Sequence, residues 1–154
     1  MLRGLLLTFT LMAAMPMSFA REMPEWLNEA IKSPTPNQLA YFIGVGSDCE
    51  ITKDEAISLV DGVLIRSRIK PLAQSFGGEA SLYLNIRLEC LLMESRNPIF
   101  QININFARWT PYPPILYDHI YGTMGYGSKE YVSQNLKEYI ENAITDFIKV
   151  NFDL

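Results

Sequence analysis

Two runs near the middle of the chain alternate strictly between apolar and polar residues. In the first, Leu82, Leu84, Ile86, Leu88 and Cys90 interleave with Tyr83, Asn85, Arg87 and Glu89. In the second, Phe100, Ile102, Ile104 and Phe106 interleave with Gln101, Asn103, Asn105 and Ala107. Successive side chains of a strand point to opposite faces, so a period of two marks a strand with one face buried. A short polar turn at Glu94–Asn97 separates the runs, which predicts an antiparallel hairpin with one apolar and one wet face. A sheet with one apolar face requires a covering layer, and that requirement limits the fold to a few layered arrangements.

The covering layer is written on either side of the hairpin. Thr52-Lys53-Asp54-Glu55 matches a capping box, and Ala56, Leu59, Val60, Val63 and Leu64 follow at helical spacing until Pro71. A helix is expected over about 53–69. Ser128 caps a second helix, over about 129–149, in which Val132, Leu136, Ile140, Ala143, Ile144, Phe147 and Ile148 form an apolar stripe. Tyr41–Gly46 reads as a first strand that ends in the turn Gly46-Ser47-Asp48. Residues 115–121 read as a further strand after the corner at Pro111, Pro113 and Pro114. The expected fold is α+β: an antiparallel sheet of three to four strands with two helices on one face, in the order β-α-β-β-(β)-α.

The N-terminus carries a different message. Arg3 precedes an apolar run from Leu5 to about Met15, Pro16 breaks it, and Ser18-Phe19-Ala20 places small residues where a signal peptidase cuts. The run is shorter than the roughly 18–20 apolar residues that span a bilayer. Residues 1–20 are therefore expected to be a cleaved signal peptide, 21–38 an extended leader whose Trp26 tucks against the body, and 39–154 one domain. Location is expected to be periplasmic or secreted, with no transmembrane segment after cleavage near Ala20.

Of 154 residues, 49% are apolar and 19% charged, which excludes a disordered chain, a collagen or a coiled coil. Removing Arg3 leaves 12 Lys and Arg against 17 Asp and Glu, a formal charge of −5. A weakly acidic protein with scattered cations has no footprint for phosphate backbones, so nucleic acid is not an expected partner.

An oxidising compartment permits Cys49 and Cys90 to pair, which would close a loop worth on the order of 4 kcal/mol. Cys90 also continues an apolar strand face, where an ordinary buried thiol fits equally well. With one histidine in the chain, these two cysteines do not make a zinc site. No cofactor is expected. The run from Gly122 to Lys129 places Ser128 before Lys129, the reverse of the order a phosphate loop needs, and reads instead as a turn that lets aromatic neighbours pack. His119 follows Asp118, yet adjacent strand residues face opposite ways and no nucleophile elbow occurs. No catalytic residue is assigned.

Aromatic density after Phe106 is the feature left over. Arg108, Trp109, Tyr112, Tyr117, His119, Tyr121 and Tyr126 lie among prolines and glycines. Trp, Tyr and Arg are enriched at binding hot spots, so these seven form the candidate binding surface. They also fit the closing end of a core. Tyr117, His119 and Tyr121 are expected to share one strand face. The amide-rich face of Tyr83, Asn85, Arg87, Gln101, Asn103 and Asn105 fits a polar polymer, a second copy or plain solvent.

From Pro24 to about Ile69 the chain resembles small bacterial outer-membrane lipoproteins that share a domain with a flagellar assembly protein. The matching features are Pro24-Glu25-Trp26, the strand Tyr41–Gly46 and the helix opening Glu55-Ala56. The chain departs from that pattern in lacking a lipid-accepting Cys, in having few alanines along the helix, and in its second half. The resemblance implies a non-enzymatic envelope protein with a strand–helix–strand core. The sequence thus points to an exported binding or assembly module whose partner is an envelope protein or polar polymer, with a homo-oligomer also open. An exported hydrolase or inhibitor acting on cell-wall or carbohydrate material is the alternative.

Overall fold

The computed structural model describes residues 23–73, 82–92, 98–110 and 114–152. The segment read as a signal peptide, the turn at Glu94–Asn97, and Pro111, Tyr112 and Pro113 lie outside the described residues. In chain order the elements are α1 (Glu25–Ala30), β1 (Gln38–Val45), α2 (Lys53–Arg66), β2 (Lys70–Ala73), β3 (Leu82–Leu91), β4 (Ile99–Arg108), β5 (Ile115–Leu116), β6 (Tyr121–Tyr126) and α3 (Lys129–Asn151).

The hairpin is present over its full length. β3 and β4 pair antiparallel from Leu82 opposite Arg108 to Leu91 opposite Ile99. Leu84, Ile86, Leu88, Ile102, Ile104 and Phe106 point to one side and are fully buried. Against them lie Ala56, Val60, Val63 and Leu64 of α2 and Val132, Leu136, Ile140, Ala143, Ile144 and Phe147 of α3. The expected α+β class, with both helices over one sheet face, is what forms.

The sheet itself is larger and mixed. Its order is β2-β1-β3-β4, and the far side of β4 is shared by β5 and β6. β1 runs parallel to both of its neighbours. The expectation of three to four antiparallel strands is therefore corrected to six strands, half of the sheet being parallel. The reason lies in α2: a helix between strands returns the chain to the same end of the sheet, and the strands it joins are parallel. β2 escaped the sequence reading because Pro71 looked only like a helix stop. Proline donates no ladder hydrogen bond and is tolerated on an edge strand, which is where β2 lies.

The turn into β2 is built by a Schellman motif. Arg68 adopts a left-handed φ of 59°. Ile69 N donates to Leu64 O at 2.9 Å and Arg68 N to Ile65 O at 3.0 Å, so the last carbonyls of α2 are satisfied. At its other end α2 carries the expected capping box: Thr52 accepts from the Glu55 amide, and the Glu55 carboxylate accepts from the Thr52 amide at 2.8 Å. Lys129 at the start of α3 donates to the same carboxylate at 2.7 Å. That contact first, and the Thr52 donors after it, hold the Glu55 carboxyl down at about 2.

The leader is not extended. Glu25–Ala30 is helical, and Leu27 and Ile31 are fully buried. Pro24 supplies the fixed φ that suits the residue entering a helix, and these two apolar residues, four apart, fall on one side of it. Asn151 ties this segment to the end of α3. Its Oδ1 accepts from Ser33 N at 2.8 Å and its Nδ2 donates to Ile31 O at 3.1 Å.

A tyrosine–aspartate bond also ties each long helix to the sheet. Tyr41 of β1 donates to Asp61 of α2 at 2.6 Å, and Tyr121 of β6 donates to Asp146 of α3 at 3.0 Å. Burial, reinforced by the adjacent carboxylate, raises both phenol pKa values far above 10. Unfolded tyrosines ionise near pH 10 while these two stay neutral in the fold, so the unfolded state loses protons that the folded state keeps. Stability is expected to fall above about pH 10, by up to about 1.4 kcal/mol per pH unit for each tyrosine. Tyr41→Phe and Tyr121→Phe are each expected to flatten that fall while costing about 1.5 kcal/mol at neutral pH. Urea unfolding of both variants across alkaline pH measures the two effects.

Cys49 and Cys90 form a disulfide with Cα atoms 5.0 Å apart, closing the loop after β1 onto the end of β3. Replacing both with Ala is expected to lower unfolding free energy by about 4 kcal/mol, read from urea midpoints at constant slope.

Candidate binding surface on the free edge of the sheet

The edge beyond β4 is one strand interrupted in its middle. β5 pairs Leu116 with Ala107 and Ile115 with Arg108. β6 pairs Tyr121 with Ile104 and continues to Tyr126 opposite Ile99. Between them, Tyr117 N still donates to Phe106 O at 2.9 Å, and residues 118–120 leave the ladder. Asn105 bridges the gap: its Nδ2 donates to the carbonyls of Tyr117 and His119, at 3.2 Å each. A side-chain amide thus supplies donors where the ladder offers none, and Asn105 itself is 9% exposed.

This interruption decides where the candidate aromatic residues go. Tyr117 lies opposite Phe106 and Tyr121 opposite Ile104, so both pack on the helix-side core, and the irregular stretch between them sets the buried His119 ring against Tyr121. The Tyr117 hydroxyl accepts from Arg108 Nε at 3.1 Å, and the ring lies 6.3 Å from that of Trp26. The same Arg108 donates through its NH2 group to Ala30 O at 3.0 Å and Lys32 O at 3.2 Å. It therefore clamps the C-terminal carbonyls of α1, where a cation is favoured. His119 is 6% exposed, with its ring 4.7 Å from Tyr121 in an edge-on contact. Tyr121 in turn meets Phe106 edge-on. These four residues close the core, whereas Trp109 and Tyr126 stand 46% and 52% exposed. Tyr112 lies outside the described residues.

The sequence reading, which followed aromatic rings, missed the aliphatic part of the surface. Ile115, Leu116, Ile120 and Met124 are exposed along the same edge. Tyr126 shares a row with Ile99 and Leu91, and Met124 shares one with Gln101 and Glu89, all on the face away from the helices. A cavity of about 150 Å³ opens between those rows, lined by Glu89, Leu91, Ile99, Gln101 and Met124. A signal was available in the sequence. Tyr121–Tyr126 contains no charge, although its outward positions are not core.

The amide face is less uniform than its sequence implied. Arg87 and Asn103 form a polar middle beside Gly44 and Gly122. At the end nearest β5, Ala40, Tyr83 and Ala107 are buried on this side, with the Phe42 ring edge-on to Tyr83 at 5.1 Å. Two glycines make the edge possible. A Cβ on Gly122 would stand 1.9 Å from Ile102 O, and one on Gly127 would stand 2.4 Å from the Tyr131 ring. Tyr131 is edge-on to Phe100 beside Gly127, but the glycine run, read as a turn, is for the most part the strand β6.

Elsewhere, Glu55, Ser58, Lys129 and Ser133 line a groove of about 320 Å³ between α2 and α3, floored by Ile51 and Leu59. The Glu55–Lys129 ion pair spans it. Among the described residues no group of three or more His, Cys, Asp or Glu side chains converges to hold a metal, and no helix is long and apolar enough to cross a membrane.

Asn105→Asp retains the side chain's size but sets a carboxylate against two carbonyl oxygens. It is expected to cost about 2–3 kcal/mol and to speed amide exchange across 117–121 relative to the helices. Hydrogen-exchange measurements check both the cost and its location.

No protein-family profile matches the chain, and no curated protein matches its sequence. Among solved structures, it is similar to a minor lipoprotein from Acinetobacter baumannii at a TM-score of 0.34 and 7% identity, covering 74% of this chain and 91% of that one.

Proposed function

We propose that this chain is an exported envelope protein without catalytic activity, which binds or assembles with a partner through the β5–β6 edge. The observation that carries the reading is the run of exposed Ile115, Leu116, Ile120, Met124 and Tyr126 along one sheet edge. Single exposed apolar residues are ordinary, but five of them concentrated within residues 115–126 favour an interaction surface. Trp109, just past the end of β4, extends that set with a side chain of the hot-spot class. Export rests on the N-terminal segment through Ala20 and on the cysteine pair, since disulfides persist in oxidising compartments. The alternative, a hydrolase or inhibitor, drew on His119, and the buried position of that ring beside Tyr121 lends it no specific support.

The test is retention of envelope components on the immobilised mature protein. Ile120→Ser and Tyr126→Ala, with unchanged circular dichroism, are each expected to reduce specific retention about tenfold, the loss of one modest hot spot. Retention equal to wild type in both variants would falsify this surface.

A further inference from the structure

The two free edges of the sheet differ. β2 is four residues long and carries Lys70 and Pro71, both of which discourage another strand from pairing. β6 is six residues long and has neither charge nor proline. Its β4 side is satisfied, and its other side forms the sheet margin with Met124 69% exposed. One edge is blocked and the other is open.

We propose that the occupant of β6 is the β6 strand of a second copy of this chain, joined antiparallel around a two-fold axis through Met124. This deepens the proposed function by naming a partner for the same surface, and it rests on that reading. Around such an axis Met124 meets its own copy, Thr123 meets Gly125, and Gly122 meets Tyr126. Each pair joins residues of the same face, since Gly122, Met124 and Tyr126 alternate with Thr123 and Gly125. The helices of both copies then lie on one side, and the two open faces become continuous.

Charge and shape both favour a second copy. A residue at or near a two-fold axis faces its own kind, so any charge there would be repelled, and β6 contains none. On the open face the Tyr126 ring of each copy would lie over Gly122 of the other, the arrangement in which an aromatic ring covers an edge glycine. Met124 and Tyr126, the most exposed side chains of the strand, become the centre of the contact.

Sedimentation equilibrium on the mature protein is the test. The wild type is expected to show a monomer–dimer equilibrium. Met124→Lys, at an exposed position where the fold is kept, is expected to raise the dissociation constant at least tenfold. Met124→Cys should cross-link to itself on mild oxidation, because directly opposed antiparallel residues lie within disulfide reach. Ser58→Cys, exposed on α2, should not. A wild type that stays monomeric at millimolar concentration, a dimer unaffected by Met124→Lys, or equal cross-linking at both positions overturns the proposal. A monomer whose envelope partners are still lost in Ile120→Ser refutes self-pairing alone. A dimer whose retention is unchanged in that variant refutes the proposed partner surface instead.

Discussion

Register between β3 and β4 is the constraint on which the rest depends. The pairing runs from Leu82–Arg108 to Leu91–Ile99, and a slip of one residue would turn either Leu84 and Ile86 or Ile104 and Phe106 toward solvent. Both long helices are placed by that face, and so is β1, whose Tyr41 and Ile43 extend the same buried surface. Once the ladder is set, Tyr41–Asp61 and Tyr121–Asp146 fix the helices at points on opposite sides of the sheet's centre. Hydrophobic burial supplies the driving force without direction, and these two polar contacts add direction to it.

The same ladder gives the molecule its asymmetry. On the β1 side the sheet is parallel, joined by α2 and stapled by Cys49–Cys90, and it ends on the short, proline-bearing β2. On the β4 side the chain meanders, breaks at 118–120 and ends on uncharged β6. Asn105 holds that break in shape from within the sheet. The stabilised half and the half that presents apolar surface are thus separated by the central hairpin, so interaction at one edge need not disturb the other.

Periodicity made the hairpin and both helices legible, down to the Thr52 capping box and the α3 stripe, because each repeats over several turns or pairs. Elements held by few residues were not legible. Four-residue β2 has no period to detect, and α1 owes its position to Arg108 and Asn151, which lie far away in sequence. The aromatic cluster was visible as composition, but its division was not. The irregular stretch 118–120 that buries His119 is bridged by Asn105, which the sequence shows only as one more polar residue on an alternating face.

The fastening of α1 bears on the order in which the chain can be completed. Its carbonyls are held by Arg108 and Asn151, the latter about as distant along the sequence as the fold allows. A chain made N-terminus first therefore delivers α1 before either Arg108 or Asn151. Leu27 and Ile31 must wait without a core until the last helix arrives. Such a protein stays open through most of its synthesis and closes late, with its first helix among the last pieces to dock.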